Sequence, residues 1–110
     1  MSQEQRGLRF AFEARAEVVV EGSTDKIPAR VMELSFRGCF LEIKGLSSEG
    51  QRVQVRIFHE DQFFEATAKV IYVRATGVGV VFEDMKAHCR NVLQHWILAA
   101  LDKSVKVEQS

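Results

Sequence analysis

From Ala14 onward, apolar and polar residues alternate in short runs, and the period changes only near the C-terminus. Ala14 to Glu21 leads through the valine triplet Val18-Val19-Val20 to the turn residues Gly22-Ser23-Thr24-Asp25, which predicts a first strand and its turn. Before it, Arg9 to Phe12 reads as an extended piece laid across the wall that the strands build. Ile27 to Leu34 predicts a second strand, with Pro28 near its start, where a missing N–H is tolerated. Cys39 to Ile43 predicts a third, and Lys44 to Gly50 a loop. Arg52, Gln54 and Arg56 then interleave with Val53, Val55 and Ile57, giving one wet and one dry face. His59-Glu60-Asp61-Gln62 reads as a polar hairpin turn. Phe63 to Arg74 is the longest strand candidate, with Phe64, Ala66, Ala68, Val70 and Tyr72 assigned to one face. Thr76 to Phe82 is the last, and Gly77 and Gly79 within it predict a bend or a close backbone approach.

After Glu83, Met85, Cys89, Val92, Leu93, Trp96, Ile97, Ala100 and Leu101 recur at helical spacing. This predicts a helix over 84–101 with Asp84 as N-cap, a mobile stretch over 1–9, a barrel or sandwich over 10–83 and a polar tail over 102–110. The apolar stripe covers the open end of the strand layer or faces a partner. Trp96 reads as core. Six strands with short turns and no intervening helix imply an all-β barrel or sandwich and exclude parallel βαβ topology.

Composition narrows the function classes. At 110 residues, 46% apolar and 27% charged, the chain suits one soluble domain with one core. Fifteen basic and fifteen acidic residues cancel, so no global field recruits a nucleic acid polymer or an anionic membrane. Apolar runs fall far short of the roughly 20 residues that cross a bilayer, and the first ten residues carry no signal core. A cytoplasmic protein without membrane insertion is expected, with Cys39 and Cys89 as free thiols. His59, His88 and His95 do not have zinc-ligand spacing. No nucleophile–base constellation or cofactor fingerprint is present, so the chain reads as a non-enzyme with no metal and no cofactor.

The most concentrated chemistry lies in Met32 to Phe40, MELSFRGCF. Glu33, Ser35 and Gly38 join a carboxylate, a hydroxyl and a backbone point open to a ligand or a positive φ, at a corner between two strands. Ser35 equally suits a turn residue bonding its own backbone, and Arg37 suits either a phosphate contact or a solvated strand end. Upstream stand Arg6 and Arg9.

This ExSxxG corner, with the Arg6/Arg9 pair before the first strand, resembles the signature of the PilZ domain family, [D/N]xSxxG preceded by RxxxR. Gly38-Cys39-Phe40-Leu41, Leu46 to Val55, and Gly77 to Phe82 resemble further family stretches in the right order, so the resemblance spans roughly Gln5 to Leu101. It implies a six-stranded antiparallel β-barrel with a C-terminal α-helix that binds the bacterial second messenger cyclic di-GMP. It further implies that Arg6 and Arg9 clamp the ligand, with Glu33, Ser35, Gly38 and Arg37 around it. Ordering of the N-terminal arginine loop would then alter the surface shown to a downstream protein partner, in motility or biofilm regulation.

The chain departs from the signature at Glu33 and at Gln5, which stands four residues before Arg9. Glutamate keeps the acceptors that a guanine edge requires but carries them about 1.5 Å further out. A second reading is therefore a PilZ-like adaptor that works by protein contact without the messenger.

Overall fold

Each period-two run becomes a strand because its apolar members have a single interior to share. The computed structural model describes residues 9–46 and 48–109. Its elements are β1 (Phe10–Val20), β2 (Ile27–Leu34), β3 (Gly38–Glu42), β4 (Arg52–His59), β5 (Gln62–Val73), β6 (Gly77–Asp84) and α1 (Ala87–Gln109). The strands pair antiparallel in the order β1-β2-β3-β6-β5-β4 and close into a barrel through β4 and β1. Closure gives every one of these strands two neighbours and leaves none of them as an edge to recruit another chain.

The interior is narrow and filled by alternating sizes. Ala16, Ala66 and Ala68 lie buried beside Val18, Val31, Leu41, Val55, Ile57, Phe64 and Val78, as expected where a small barrel must be packed solid. One end is plugged by the segment after β3, where Ile43 and Leu46 are buried. There the Ile43 N–H donates to the Thr76 carbonyl at 3.2 Å and the Gly50 N–H to that of Val70 at 2.7 Å.

The helix packs on β5 and β1. Cys89, Leu93, Trp96 and Ile97, at helical spacing, join the same core. Trp96 stacks on Phe12 with centroids 5.5 Å apart and meets Phe64 at 5.3 Å. Its Nε1–H donates to Gln62 Oε1 at 3.0 Å, so the indole is buried without an orphaned donor. His59 packs edge-on against Trp96 and tilted against Phe12, and is therefore part of this junction as well as of the hairpin.

Three boundaries differ from expectation. Arg9 to Phe12 is not a separate piece: β1 runs on from Phe10, and a register shift between Ala11 and Ala14 absorbs the break in alternation. Asp84 is not the helix cap, because β6 continues through it and pairs it with Thr67. The Lys86 carbonyl instead accepts the first helical bond, from the Arg90 N–H at 3.0 Å. The helix also runs to Gln109 instead of ending near Leu101. Asp102 to Gln109 contains no glycine or proline to stop it.

Two further shifts decide which side chains face outward. On β2, Val31 opposes Leu41 and Glu33 opposes Phe40, so Met32 is an extra residue. On β5, Val70 opposes Val80 and Tyr72 opposes Gly79, so Ile71 is extra. An odd insertion moves the residues beyond it to the other face. Tyr72 therefore leaves the inward row of Phe64, Ala66, Ala68 and Val70 and lies on the outer face, contrary to the sequence expectation. Glu33 is turned outward by the same device.

This packing has two measurable consequences. A Cβ on Gly77 would collide with the Leu41 carbonyl oxygen of β3. Gly77→Ala is expected to cost about 1–3 kcal/mol by overpacking, lowering the thermal midpoint by about 4–8 °C per kcal/mol, as read by circular dichroism. Burial pushes the Cys39 thiol up from 9.0 to about 12. The folded state therefore holds this proton after the unfolded state has lost it, and the associated stability is complete below pH 9 and declines as pH rises toward 12. Denaturant titrations across that range should show a shallower decline for Cys39→Ala than for the parent.

Candidate functional site

The corner between β2 and β3 is built by Ser35. Its N–H donates to the Gly38 carbonyl at 2.9 Å, and its Oγ donates to the same oxygen at 3.2 Å. The Oγ in turn accepts from the N–H groups of Arg37 and Gly38, each at 3.2 Å. One hydroxyl proton and two lone pairs are all engaged, so the turn-residue role considered for Ser35 is present in full. The corner is pinned to β6 by the Phe82 N–H, which donates to the Arg37 carbonyl at 2.7 Å.

Gly38 does not adopt a positive φ, unlike Gly22, Gly45 and Gly50. Its requirement is proximity: a Cβ there would meet the Val80 carbonyl oxygen of β6. The glycine in the signature thus lets two backbones approach beneath the site.

Arg9 immediately precedes β1, and the pairing of Phe10 with Leu34 and of Ala11 with Glu33 brings it to the corner. Arg9 Nη1 lies 3.8 Å from Glu33 Oε1, both side chains being about half exposed. Arg9, Glu33, Ser35, Arg37 and Gly38 all line one cleft of about 350 Å³. Five of the six residues expected at the site therefore share one concavity. The sixth, Arg6, lies outside the described residues.

The opposite wall is not part of the site that the sequence predicts. The outer-face register places Glu33 beside Phe40, Phe40 beside Gly79 and Gly79 beside Tyr72. The Tyr72 ring occupies the space where a Gly79 side chain would stand. It lies nearly parallel to Phe40, with centroids 6.3 Å apart and planes at 19°. The Arg74 guanidinium sits over Tyr72 at 4.8 Å from the centroid. Ile71, the bulged residue, completes this wall and is 50% exposed. The local signal is Gly79, a strand glycine that marks a close approach; it does not say which residue approaches.

The cleft thus combines cations at one rim, a carboxylate, and an apolar aromatic wall. Such a set offers cations for an anion, acceptors for N–H donors and an apolar surface for a flat group. Cys39 also lines it, but its buried thiol is pushed up to about 12, which removes thiolate nucleophilicity near neutral pH. Among the described residues, no group of three or more His, Cys, Asp or Glu converges as a metal site, and no helix is long and apolar enough to cross a membrane.

No curated protein matches this chain. Among solved structures, the PilZ domain of CeSA from a cellulose-synthesizing bacterium superposes with a TM-score of 0.69 at 12% identity, covering 84% of this chain and 97% of that one. At that identity the likeness concerns the fold, a six-stranded antiparallel barrel with one C-terminal helix. The family model for the PilZ domain matches residues 2–99, which takes in the arginine segment, the ExSxxG corner and most of the helix: the chain belongs to the PilZ domain family.

Proposed function

We propose that the chain is a cyclic di-GMP-binding signalling effector that acts without catalysis. The observation that carries this reading is the convergence of Arg9, Glu33, Ser35, Arg37 and Gly38 on one cleft. Cyclic di-GMP presents two phosphate charges and two guanines. A guanidinium serves the first by bidentate pairing and the second by stacking. Arg9 is the principal clamp, with Arg6 as the second cation and Arg37 as a further phosphate contact. Glu33 supplies acceptors to a guanine N–H edge. Ser35 and Gly38 hold the corner in shape and present it to the ligand.

Arg9 and Glu33 are paired with each other in the free protein. A half-exposed ion pair contributes only about 0–1 kcal/mol, whereas a charge-assisted bond to phosphate contributes about 1.5–3 kcal/mol. Exchange of partners is therefore favourable. Binding draws the arginine segment of residues 6–9 onto the corner and changes the surface offered to a downstream protein partner. No nucleic acid polymer or membrane is required for this action, and we assign it to the cytoplasm.

One observation supports a second reading, an adaptor that no longer binds the messenger. Glu33 is long enough to reach Arg9, so two ligand groups satisfy each other, while Phe36 at the corner is 49% exposed and Ile71 stands at the same cleft. A protein partner engages such an apolar rim.

Calorimetric titration with cyclic di-GMP separates the two. On the receptor reading the parent binds, and Arg9→Ala weakens binding by about 10- to 150-fold; unchanged affinity in Arg9→Ala would remove Arg9 from the site. Glu33→Asp, which shortens the carboxylate and withdraws it from Arg9, is expected to tighten binding. A parent that gives no heat, combined with binding restored in Gln5→Arg/Glu33→Asp, would establish the adaptor.

A further inference from the structure

We infer that the outer face around the Phe58–Phe63 pair is a contact between two copies of this chain, related by a twofold axis that passes through the aromatic pair. The closed barrel offers no strand edge for association, so such a contact is made face to face. Phe58 of β4 and Phe63 of β5 oppose each other beside the hairpin turn, with ring centroids 6.0 Å apart. Phe63 is 49% exposed. The Arg15 guanidinium of β1 lies over Phe58 at 4.2 Å from the centroid, and that of Arg56 lies over Phe63 at 5.4 Å. Both rings are thereby held in place at the surface.

Charge on either side of the rings selects the occupant. Across the strands from Phe58 stand Arg15 and then Arg30, which oppose each other directly on β1 and β2; like charges so placed repel. At the other end the hairpin turn carries Glu60 and Asp61, both exposed. Arg56 is paired with Glu65, but the charges at the two ends are poorly matched within the chain. Arg15 reaches Glu17 only at 4.0 Å, and Glu60 meets the His59 ring at 3.9 Å. Glu42 opposes Arg30 on β3 beyond ion-pair distance, and neither Arg30 nor Asp61 has an ion-pair partner among the described residues. The face is a bipolar strip, cationic at one end, aromatic in the middle and acidic at the other. An acidic partner would satisfy one end and be repelled at the other, and a basic partner the reverse. A second copy laid antiparallel satisfies both, because a twofold contact sets residue i against j and j against i. Arg15 of each copy then meets Asp61 of the other while the phenylalanines pack across the axis. None of these six residues (Arg15, Arg30, Phe58, Glu60, Asp61 and Phe63) lines the cleft, so the inference stands apart from the messenger reading.

Sedimentation velocity of the full chain at concentrations up to about 1 mM, the weak end of specific association, tests this. The weight-average mass of the parent should rise toward that of two chains, and Phe63→Ser should keep the chain monomeric over the same range. Arg15→Glu and Asp61→Lys, each of which sets like charges together at both ends of the contact, should each weaken dimerisation by at least about 10-fold. An equimolar mixture of these two variants should recover parental association, because one ion pair is then the parental one and the other its charge reversal. All three positions are exposed, circular dichroism checks that each variant folds, and recovery on mixing cannot come from a misfolded chain. A parent that stays monomeric at the highest concentration, or a dimer that Phe63→Ser leaves intact, overturns the inference. Single charge variants that dimerise like the parent, or whose mixture does not recover, overturn the antiparallel twofold arrangement.

Discussion

The distance between β3 and β6 is the constraint on which the barrel and its cleft depend. Where β3 pairs with β6, an added Cβ would collide with the partner backbone or a neighbouring ring, and three glycines lie along this seam. Gly38 faces the Val80 carbonyl, Gly77 faces the Leu41 carbonyl, and Gly79 carries the Tyr72 ring. None of the three takes the positive φ for which glycine is usually required. The seam pulls the ExSxxG corner down onto β6, where the Phe82 N–H holds the Arg37 carbonyl, and leaves a concavity on the outer side. The same closeness therefore closes the core and opens the cleft.

Strands were legible in the sequence because one interior imposes period two on every run that borders it. The helix was legible for the same reason at its own period: Cys89, Leu93, Trp96 and Ile97 form a stripe that can only be satisfied against the barrel. Boundaries were less so. Asp84 has the chemistry of an N-cap, yet pairing with Thr67 keeps it in β6, a preference set by a strand 17 residues earlier in the chain and invisible locally.

The site divided along similar lines. Glu33, Ser35, Arg37 and Gly38 are within six residues of one another, so their convergence could be read from spacing. Phe40, Tyr72 and Gly79 meet only through the register of three strands, and the residue that brings Tyr72 outward is the bulged Ile71, whose sequence carries no mark of a bulge. Alternation counted through that position assigns the wrong face to everything after it. The role of Ser35 as the organiser of the corner was open in the sequence and is visible in its three hydrogen-bonded contacts.

The two faces of the pleat carry largely different duties, although Leu34, Cys39 and Val80 of the core also reach the cleft. Val31, Leu34, Cys39, Leu41 and Val70 point inward, whereas Glu33, Phe40 and Tyr72, on the same three strands, point outward. Natural variation can therefore rewrite the cleft one residue at a time while the core remains packed, because a change on the outer row removes no buried contact from the interior. A glutamate in place of a shorter residue at the corner is tolerated by the barrel, because the Glu33 side chain is half exposed on the outer face. The barrel can therefore keep its shape while the residues lining its outer cleft change.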